Sequence, residues 1–441
     1  MQTAPMPTAR NIGFATAVAL VLGNMIGSGV FLLPASLAPY RGTSLIGWGI
    51  TTGGSILLAL VFARLAREHP AAGGPYAYTR RGFGDLAGFL VAWGYWISCW
   101  CTNAALAVAF VGYLDPFVPS VVRSPVAASV LAVVTLWTLT VVNITGVRAA
   151  GRVQVVTTVL KVLPLALVGI GGLAWFEPAR FAIDAPDAMT LGRDTLSVVT
   201  LTLWAFLGLE CATIPAGAVR DPERTISRAT LTGTALAAVI YIVSTIGVMS
   251  VLSPAALAGT TAPFADAARV IGGTGAAQLV AIGAAVSCFG ALNGWILMAG
   301  QMPLAIADEG LFPRVFAQRS PSGTPSRGIL IAAVLSTALI GMNYSRDLVA
   351  LFTRIILLAT LSTLLPYVFS SLSCFIRSQG DTTTPRPTRR ASLIAAGAFV
   401  YAMVAIAGAG QDVVYLGFLL LLAGLPVFVW MKRSPTLESR P

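Results

Sequence analysis

The stretch Gly23-Asn24-Met25-Ile26-Gly27-Ser28-Gly29-Val30 lies inside the first long apolar run of the sequence. Its glycines are unfavourable in a continuous helix, because each costs about 1 kcal/mol relative to alanine. In a bilayer, backbone groups that leave a helix must be buried in protein or line a wet cavity. We therefore predict that the first helix is interrupted here and that a new half-helix starts near Ser28. The alternative is close packing of small residues between two unbroken helices.

The rest of the chain has the composition of an integral membrane protein. Of its 441 residues, 56% are hydrophobic and 10% are charged, and the mean hydropathy is +0.82, whereas soluble domains have about 25% charged residues. The apolar runs predict an all-α, multi-pass fold with about 12 transmembrane helices. They start near residues 12, 43, 85, 125, 150, 194, 228, 275, 327, 347, 391 and 411.

The basic residues are concentrated in alternate loops. An excess of Lys and Arg marks the cytoplasmic side of a membrane protein, and this pattern predicts that both termini are cytoplasmic. The net charge of +11 is then explained by the acidic surface of the inner leaflet rather than by a nucleic acid. We expect a protein of the plasma (inner) membrane, with the lipid bilayer and no nucleic acid among its partners.

The sequence offers no pattern for catalysis or metal binding. An enzyme would require a nucleophile with an adjacent base, and a channel would require a continuous polar pore. We therefore predict no catalytic residue, no metal and no cofactor. The single histidine, His69, lies in a polar stretch, and the odd number of cysteines lies inside apolar runs: Cys99, Cys101, Cys211, Cys288 and Cys374.

The sixth apolar run carries Trp204-Ala205-Phe206-Leu207-Gly208-Leu209-Glu210, with a glycine beside an acid at mid-membrane. Interrupted helices at corresponding places in two halves are typical of a five-plus-five inverted repeat with a solute site between the halves. We assign 12–176 to the first half and 194–375 to the second. Spans 11 and 12 occupy 391–431, and the cytoplasmic tails are 1–11 and 432–441.

Backbone groups freed at the two interruptions can bind both charged ends of an amino acid. The N–H groups of Ser28 and Gly29, at the start of a half-helix, would bind a carboxylate. The carbonyl groups of Met25, Trp204 and Leu207 would accept an ammonium group. No charged side chain is required for this recognition.

Three charged residues fall at membrane depth, where charge is costly and functional by default. We interpret Glu210 as a proton-responsive group; the alternative is a carboxylate that joins two helices by hydrogen bonds. Lys161 lies in the fifth span and would stand where another carrier holds sodium, or else lies at the lipid edge. For Arg354, a role in transport and a place at the outer interface are equal alternatives.

Two tryptophans lie beside glycine-weakened or polar segments, where an aromatic ring can stack on a cation. They are Trp204 and Trp295. The alternative, for these and for the other mid-membrane aromatic residues, is packing or interface anchoring.

Six motifs form a common pattern: GNMIGSGVFLLP at 23–34, GGPYAY at 73–78, WAFLGLE at 204–210, RDPER at 220–224, APF at 262–264 and DEGLFP at 308–313. In these motifs the sequence resembles the amino acid–polyamine–organocation superfamily, and within it the basic amino acid/polyamine antiporters of the arginine/agmatine exchanger type. The resemblance runs over nearly the whole chain. It implies a LeuT-like fold, alternating access and sodium-independent exchange of cationic amino acids or amines.

The resemblance also implies roles for individual residues. Asn24 would form the first-span break, and Gly27 would be among the substrate-binding residues beside it. Trp204 would cover the substrate from outside, and Trp295 would stack on its side chain. Residues of the third span would face the distal cationic group, namely Ser98, Cys99 and Asn103. Gating or proton coupling would involve Tyr95, Glu210, Lys161 and Phe352.

Some positions depart from the exchanger pattern and favour an alternative, transport of neutral amino acids by proton coupling or exchange. Ala359 stands where the exchangers have a small hydroxyl residue, and Arg354 adds a charge near Phe352. Lys161 and Asn293-Gly294 resemble the neutral branch. The oligomeric state is left open between monomer and homodimer.

Overall fold

The computed structural model describes residues 11–70, 72–184, 187–260, 262–321, 323–342, 362–376, 387–408 and 411–433. Over these ranges the chain is almost entirely helical, and its one isolated β-bridge joins Ile12 to Val219. The all-α prediction is confirmed.

The predicted first half contains eight α-helices in the described ranges. They are α1 (Phe14–Met25), α2 (Ser28–Leu37), α3 (Thr43–Glu68), α4 (Pro75–Phe83), α5 (Asp85–Gly112), α6 (Pro119–Val122), α7 (Pro125–Thr145) and α8 (Val147–Gly172). The helix α7 shows how the sequence sets these boundaries: Ser124 accepts a hydrogen bond from the Ala127 N–H, and proline occupies the first helical position, as both residue types prefer. Short 3₁₀ turns follow at Ala38–Tyr40, Leu173–Trp175 and Pro178–Phe181.

The remaining described helices are α9 (Ala188–Leu203), α10 (Pro222–Val251), α11 (Pro254–Ala258), α12 (Pro263–Asp308), α13 (Ser326–Gly341), α14 (362–373), α15 (Arg389–Gly408), α16 (Gln411–Leu422) and α17 (Leu425–Arg433). A 3₁₀ turn at Arg314–Ala317 precedes α13. The helix α12 is broken by non-helical backbone at Gly272 and Gly273, so its membrane segment begins near the predicted residue 275.

Two predicted starts, near 194 and 228, are too late, since α9 begins at Ala188 and α10 at Pro222. A side-chain cap explains the first difference, and a proline at the first helical position explains the second. The Asp187 side chain accepts a hydrogen bond of 2.8 Å from the Thr190 N–H, and Pro222 is the first residue of α10. Polar residues in the first turn of a helix extend it beyond its apolar part.

Seven helices of the described chain are long and apolar enough to cross a membrane, and α1 and α13 are shorter apolar helices. One face of α8 exposes Val156, Val159 and Leu163, while Lys161 of the same helix is fully buried. This separation is expected where one helix face meets lipid and the other meets the bundle. The chain is therefore a multi-pass integral membrane protein.

The interrupted first span lies in the middle of the bundle. Helix α1 packs against α8, α10 and α12, and α12 packs on α5 and α8. Glycines allow the closest contacts: a Cβ atom added to Gly247 of α10 would lie 2.4 Å from the carbonyl oxygen of Gly169 in α8. Such contacts fix the helices that surround the break in α1.

Candidate functional site

The predicted interruption of the first span is present at Ile26 and Gly27. Helix α1 ends at Met25, Gly27 is non-helical with φ −115° and ψ −145°, and α2 begins at Ser28. The last carbonyl groups of α1 and the first N–H groups of α2 therefore have no partners within their own helices. The sequence predicted both the break and the start of the new half-helix at Ser28.

The sixth span is also interrupted, but the chain after the break differs from a second half-helix. Helix α9 ends at Leu203, a 3₁₀ turn covers Trp204–Phe206 and Leu207 is extended. Gly208 has a φ of +107°, a value that favours glycine. Successive turns follow, because the Cys211 N–H donates to the Gly208 carbonyl at 3.0 Å and the Thr213 N–H donates to the Glu210 carbonyl at 2.8 Å.

The two interruptions contact each other. A Cβ atom added to Gly208 would lie 3.1 Å from the Cβ of Asn24, so the sixth-span break lies directly on the first-span break. A Cβ atom on Gly29 would lie 2.5 Å from Cδ1 of Trp204, so the indole ring covers the start of α2. The structure thus brings together Asn24, Gly29, Trp204 and the Leu207–Gly208 backbone.

Lys161 binds the carbonyl groups freed by the break in α1. Its Nζ donates to the Gly23 oxygen at 2.5 Å and to the Ile26 oxygen at 2.7 Å. Ser287 of α12 adds a hydrogen bond of 3.0 Å to the same Ile26 oxygen. The lysine is fully buried, so its Nζ lies inside the bundle and not at the lipid edge. The sequence did not indicate a role for Ser287, because small polar residues are common in the apolar helices of this chain.

Glu210 lies at the centre of a buried hydroxyl cluster. The Tyr95 hydroxyl donates to its Oε1 and the Tyr367 hydroxyl donates to its Oε2, both at 2.5 Å. This carboxylate therefore joins the segment after the sixth-span break to α5 and α14. The resemblance grouped Tyr95 with Glu210 for gating or proton coupling, without a contact between them. Tyr367 was not assigned a role, because its sequence position carries no sign of that contact.

Trp295 connects this cluster to the first break. Its indole N–H donates to the Asn24 carbonyl at 3.4 Å, and its ring lies 6.2 Å from the Tyr95 ring with an interplanar angle of 33°. The residue is buried. One face of the site is thus formed by aromatic rings on α5 and α12.

The third-span residues Ser98, Cys99 and Asn103 are all buried. The Ser98 hydroxyl donates to the Tyr95 carbonyl of its own helix at 2.7 Å. By contrast, Asn103 Oδ1 and the Ser28 hydroxyl are buried without a hydrogen-bond partner among the described residues. Unpartnered buried polar atoms are uncommon, and here they are available to a ligand.

The carbonyl groups assigned to the ammonium group are only partly free. The Met25 oxygen accepts from the Gly27 N–H at 3.0 Å, and the Trp204 oxygen accepts from the Leu207 N–H at 3.3 Å. Each carbonyl oxygen has two lone pairs, so each retains one acceptor position. The remaining gating assignment, Phe352, lies outside the described residues, as do Arg354 and Ala359.

Lys161 and Glu210 are the buried charged residues of the described chain. Further hydrogen bonds lie on either side of the break in the first span. On one side Tyr113 donates to the Ser28 carbonyl at 3.3 Å. On the other, the Ile12 N–H donates to the Ala218 carbonyl and the Arg220 N–H donates to the Ile12 carbonyl, both at 2.9 Å.

An ion-pair cluster lies beside the site at the end of α12. Arg80 pairs with Glu309 and, at 2.8 Å, with Asp85. The Tyr76 hydroxyl donates to Glu309 at 2.8 Å. Burial, followed by this bond to a carboxylate, raises the pKa of Tyr76 above its usual value, so the hydroxyl stays protonated and continues to donate.

Two broken helices that meet at a buried, polar and largely backbone-lined site define a secondary transporter. The chain belongs to the amino acid permease family, whose sequence model matches residues 12–433. It is 36% identical to a cadaverine/lysine antiporter of Escherichia coli K12, with 85% of each chain covered. It is also 30% identical to the putrescine transporter PotE of the same strain, with 95% of each chain covered. The resemblance to the basic amino acid/polyamine antiporters is confirmed.

Proposed function

We propose that this protein exchanges a cationic amino acid for a cationic amine across the membrane by alternating access. The observation that carries the proposal is the contact between the two interruptions, where Gly208 lies against Asn24. This contact brings the helix-end N–H groups of α2 and the carbonyl groups of both interruptions close together. The related antiporters of lysine with cadaverine and the putrescine transporter support a substrate with an amine at its distal end.

The head group of the amino acid would bind to backbone. Ser28 and Gly29 would bind the carboxylate with the N–H groups at the start of α2, and the unpartnered Ser28 hydroxyl adds a donor. The free acceptor positions of Met25, Trp204 and Leu207 would take the ammonium group. An amine that lacks the carboxylate would bind only to these carbonyl groups.

The distal cation of the substrate would lie among the aromatic residues and the third span. Trp295 would stack on it, since a cation over an aromatic ring is stabilised by about 0.5–2 kcal/mol. The buried Asn103 Oδ1 has no partner among the described residues and would accept a hydrogen bond. Ser98 and Cys99, buried on the same helix, would line this end of the site.

Lys161 accounts for a sodium-independent cycle. Its ammonium group holds the Gly23 and Ile26 carbonyl oxygens, and carbonyl oxygens at an unwound helix are typical ligands for a coupling ion in broken-helix transporters. Because the Lys161 ammonium group is attached to the protein and lies at this place, transport would not require a dissolved sodium ion there. Glu210, which accepts hydrogen bonds from two tyrosine hydroxyls, would respond to pH and to the conformational state of the transporter.

Alternating access would open the two closed sides of the site in turn. The proposed halves, 12–176 and 194–375, would move relative to each other, with Trp204 on the outer side and the Ile12 bridge on the inner side. This assignment places both termini in the cytoplasm and the protein in the inner membrane. Transport of neutral amino acids receives no support from the relatives named above.

Exchange in proteoliposomes tests the proposal. Vesicles loaded with lysine or arginine are diluted into labelled lysine, arginine, cadaverine, agmatine, alanine or methionine, with and without sodium. We expect uptake of the cationic substrates only when the vesicles are loaded, and the same rate without sodium. Uptake of alanine or methionine with no uptake of any cationic substrate would contradict the proposal.

A further inference from the structure

One face of α8 donates hydrogen bonds to the middle of α1 and to its end at the break. Gln154 Nε2 and the Thr158 hydroxyl donate to the Ala19 carbonyl at 3.3 and 3.2 Å. One turn further along, Lys161 donates to Gly23 and Ile26. The three donors are spaced four and three residues apart, which places them on one helix face. Lys161 serves the break itself, whereas Gln154 and Thr158 serve the body of α1.

The Gln154 amide also belongs to a chain of amides that crosses three helices. Asn143 of α7 donates to Asn293 Oδ1 at 3.0 Å. Asn293 of α12 donates in turn to Gln154 Oε1 at 3.2 Å and to the Ala150 carbonyl at 2.9 Å. Gln154 is thus oriented from one side by Asn293 and contacts α1 on the other side.

Glycines make room for this amide. A Cβ atom on Gly23 would lie 2.0 Å from Gln154 Nε2, and one on Gly294 would lie 3.0 Å from Gln154 Oε1. A side chain at position 23 would overlap the amide nitrogen, and one at position 294 would overlap Asn24 Oδ1 at 1.8 Å and crowd the amide oxygen. These glycines lie immediately before Asn24 and Trp295, so the amide is also adjacent to the substrate site.

A cavity lies on the side of this amide away from the break. Thr16 and Leu20 of α1 line one wall, and Gly151, Gln154 and Leu297 line the opposite walls. The only direct polar links of α1 to α8 next to the cavity, among the described residues, are the two hydrogen bonds to Ala19. Separation of α1 from α8 at this point would break both bonds and enlarge the cavity.

We propose that Gln154, positioned by Asn293, is a latch that holds the inner half of α1 closed against α8 and α12, with Thr158 as its second donor. Neither residue touches the substrate. The latch sets the population of the conformer open to the cytoplasm, with the flexible Ile26–Gly27 backbone as the hinge. This inference rests on the proposed transport function, since opening of α1 is the step that it controls.

The test measures access to the cavity rather than transport. Leu20 lines the cavity and is buried, so Leu20→Cys places a thiol in the cavity wall of the full-length protein that is covered while α1 is closed. A membrane-impermeant maleimide is applied to inside-out vesicles, and the protein without this substitution gives the background from its own cysteines, which are all buried. Labelling of the introduced thiol requires α1 to open, so its rate is proportional to the open population.

We expect Thr158→Val, which keeps the side-chain shape, to accelerate labelling about threefold, as for one average hydrogen bond inside a membrane protein. Gln154→Leu removes the bond to Ala19 and the acceptor for Asn293, and should accelerate labelling about tenfold. The matched control is Thr157→Val, because the Thr157 hydroxyl donates only within α8, to Val153 and Gln154. Its labelling rate should stay at the Leu20→Cys value.

Labelling at the Leu20→Cys rate in both Thr158→Val and Gln154→Leu overturns the latch. Equal acceleration by Thr157→Val also overturns it, because general loosening of α8 would then be the cause. Gel filtration of each variant shows that it is folded, and Thr158→Val provides the measurement if Gln154→Leu does not fold. Absence of cationic exchange in the unmodified protein would instead contradict the proposed function and leave the labelling result intact.

Discussion

Replacement of Lys161 by methionine removes the internal cation while keeping most of the side-chain volume. The Ile26 oxygen would keep its hydrogen bond from Ser287 at 3.0 Å, whereas the Gly23 oxygen would lose its Lys161 donor. A buried carbonyl left without a partner costs about 1–3 kcal/mol. Removal of a desolvated charge offsets part of this cost, so the net effect on the arrangement of α1 and α8 should be about 1–2 kcal/mol.

The change acts on the position of α1 and not on the N–H groups of Ser28 and Gly29. Exchange in proteoliposomes should therefore fall about 5- to 30-fold in turnover, the factor equivalent to 1–2 kcal/mol. The apparent affinity for the amino acid should change less than threefold by this reasoning. Ser287→Ala, which removes only the weaker donor to Ile26, is the matched comparison and should have a smaller effect. A folded Lys161→Met protein with unchanged turnover would refute the assigned role.

Three further substitutions test other parts of the site. Trp295→Ala should weaken binding of lysine or arginine about 5- to 30-fold more than binding of any neutral amino acid, the range of a desolvated cation–π contact; equal losses in competition assays would argue against stacking. Glu210→Gln should flatten the pH profile of exchange between pH 5 and 8, and an unchanged profile would show that this carboxylate is only structural. Gly29→Ala places a methyl group 2.5 Å from the Trp204 ring and should raise the KM about tenfold through overpacking, whereas normal kinetics would place Trp204 outside the substrate path.

The positions of both interruptions could be predicted because they depend on local chemistry. Glycines at 23, 27 and 29 make a continuous helix unfavourable, and α1 does end at Met25. The form of the second interruption could not be predicted. Its turns depend on the positive φ of Gly208 and on the close contact with Asn24, which lies far away in sequence.

The side-chain partners were predictable only in part. A lysine and a glutamate at membrane depth indicate function, but Lys161 reaches carbonyl oxygens 138 and 135 residues away. The second tyrosine at Glu210 lies 157 residues further along the chain. Such contacts depend on how the helices pack, and apolar periodicity does not encode that. The same holds for Gln154 and Asn293, whose residue types are common in helix interfaces.

The most direct test of backbone recognition is a cryo-EM map of the protein with bound lysine. The account predicts the substrate carboxylate within hydrogen-bonding distance of the Ser28 and Gly29 N–H groups, and its α-ammonium group at the carbonyl oxygens of Met25, Trp204 and Leu207. A map in which lysine binds away from both interruptions, or in which charged side chains alone hold its head group, would contradict it.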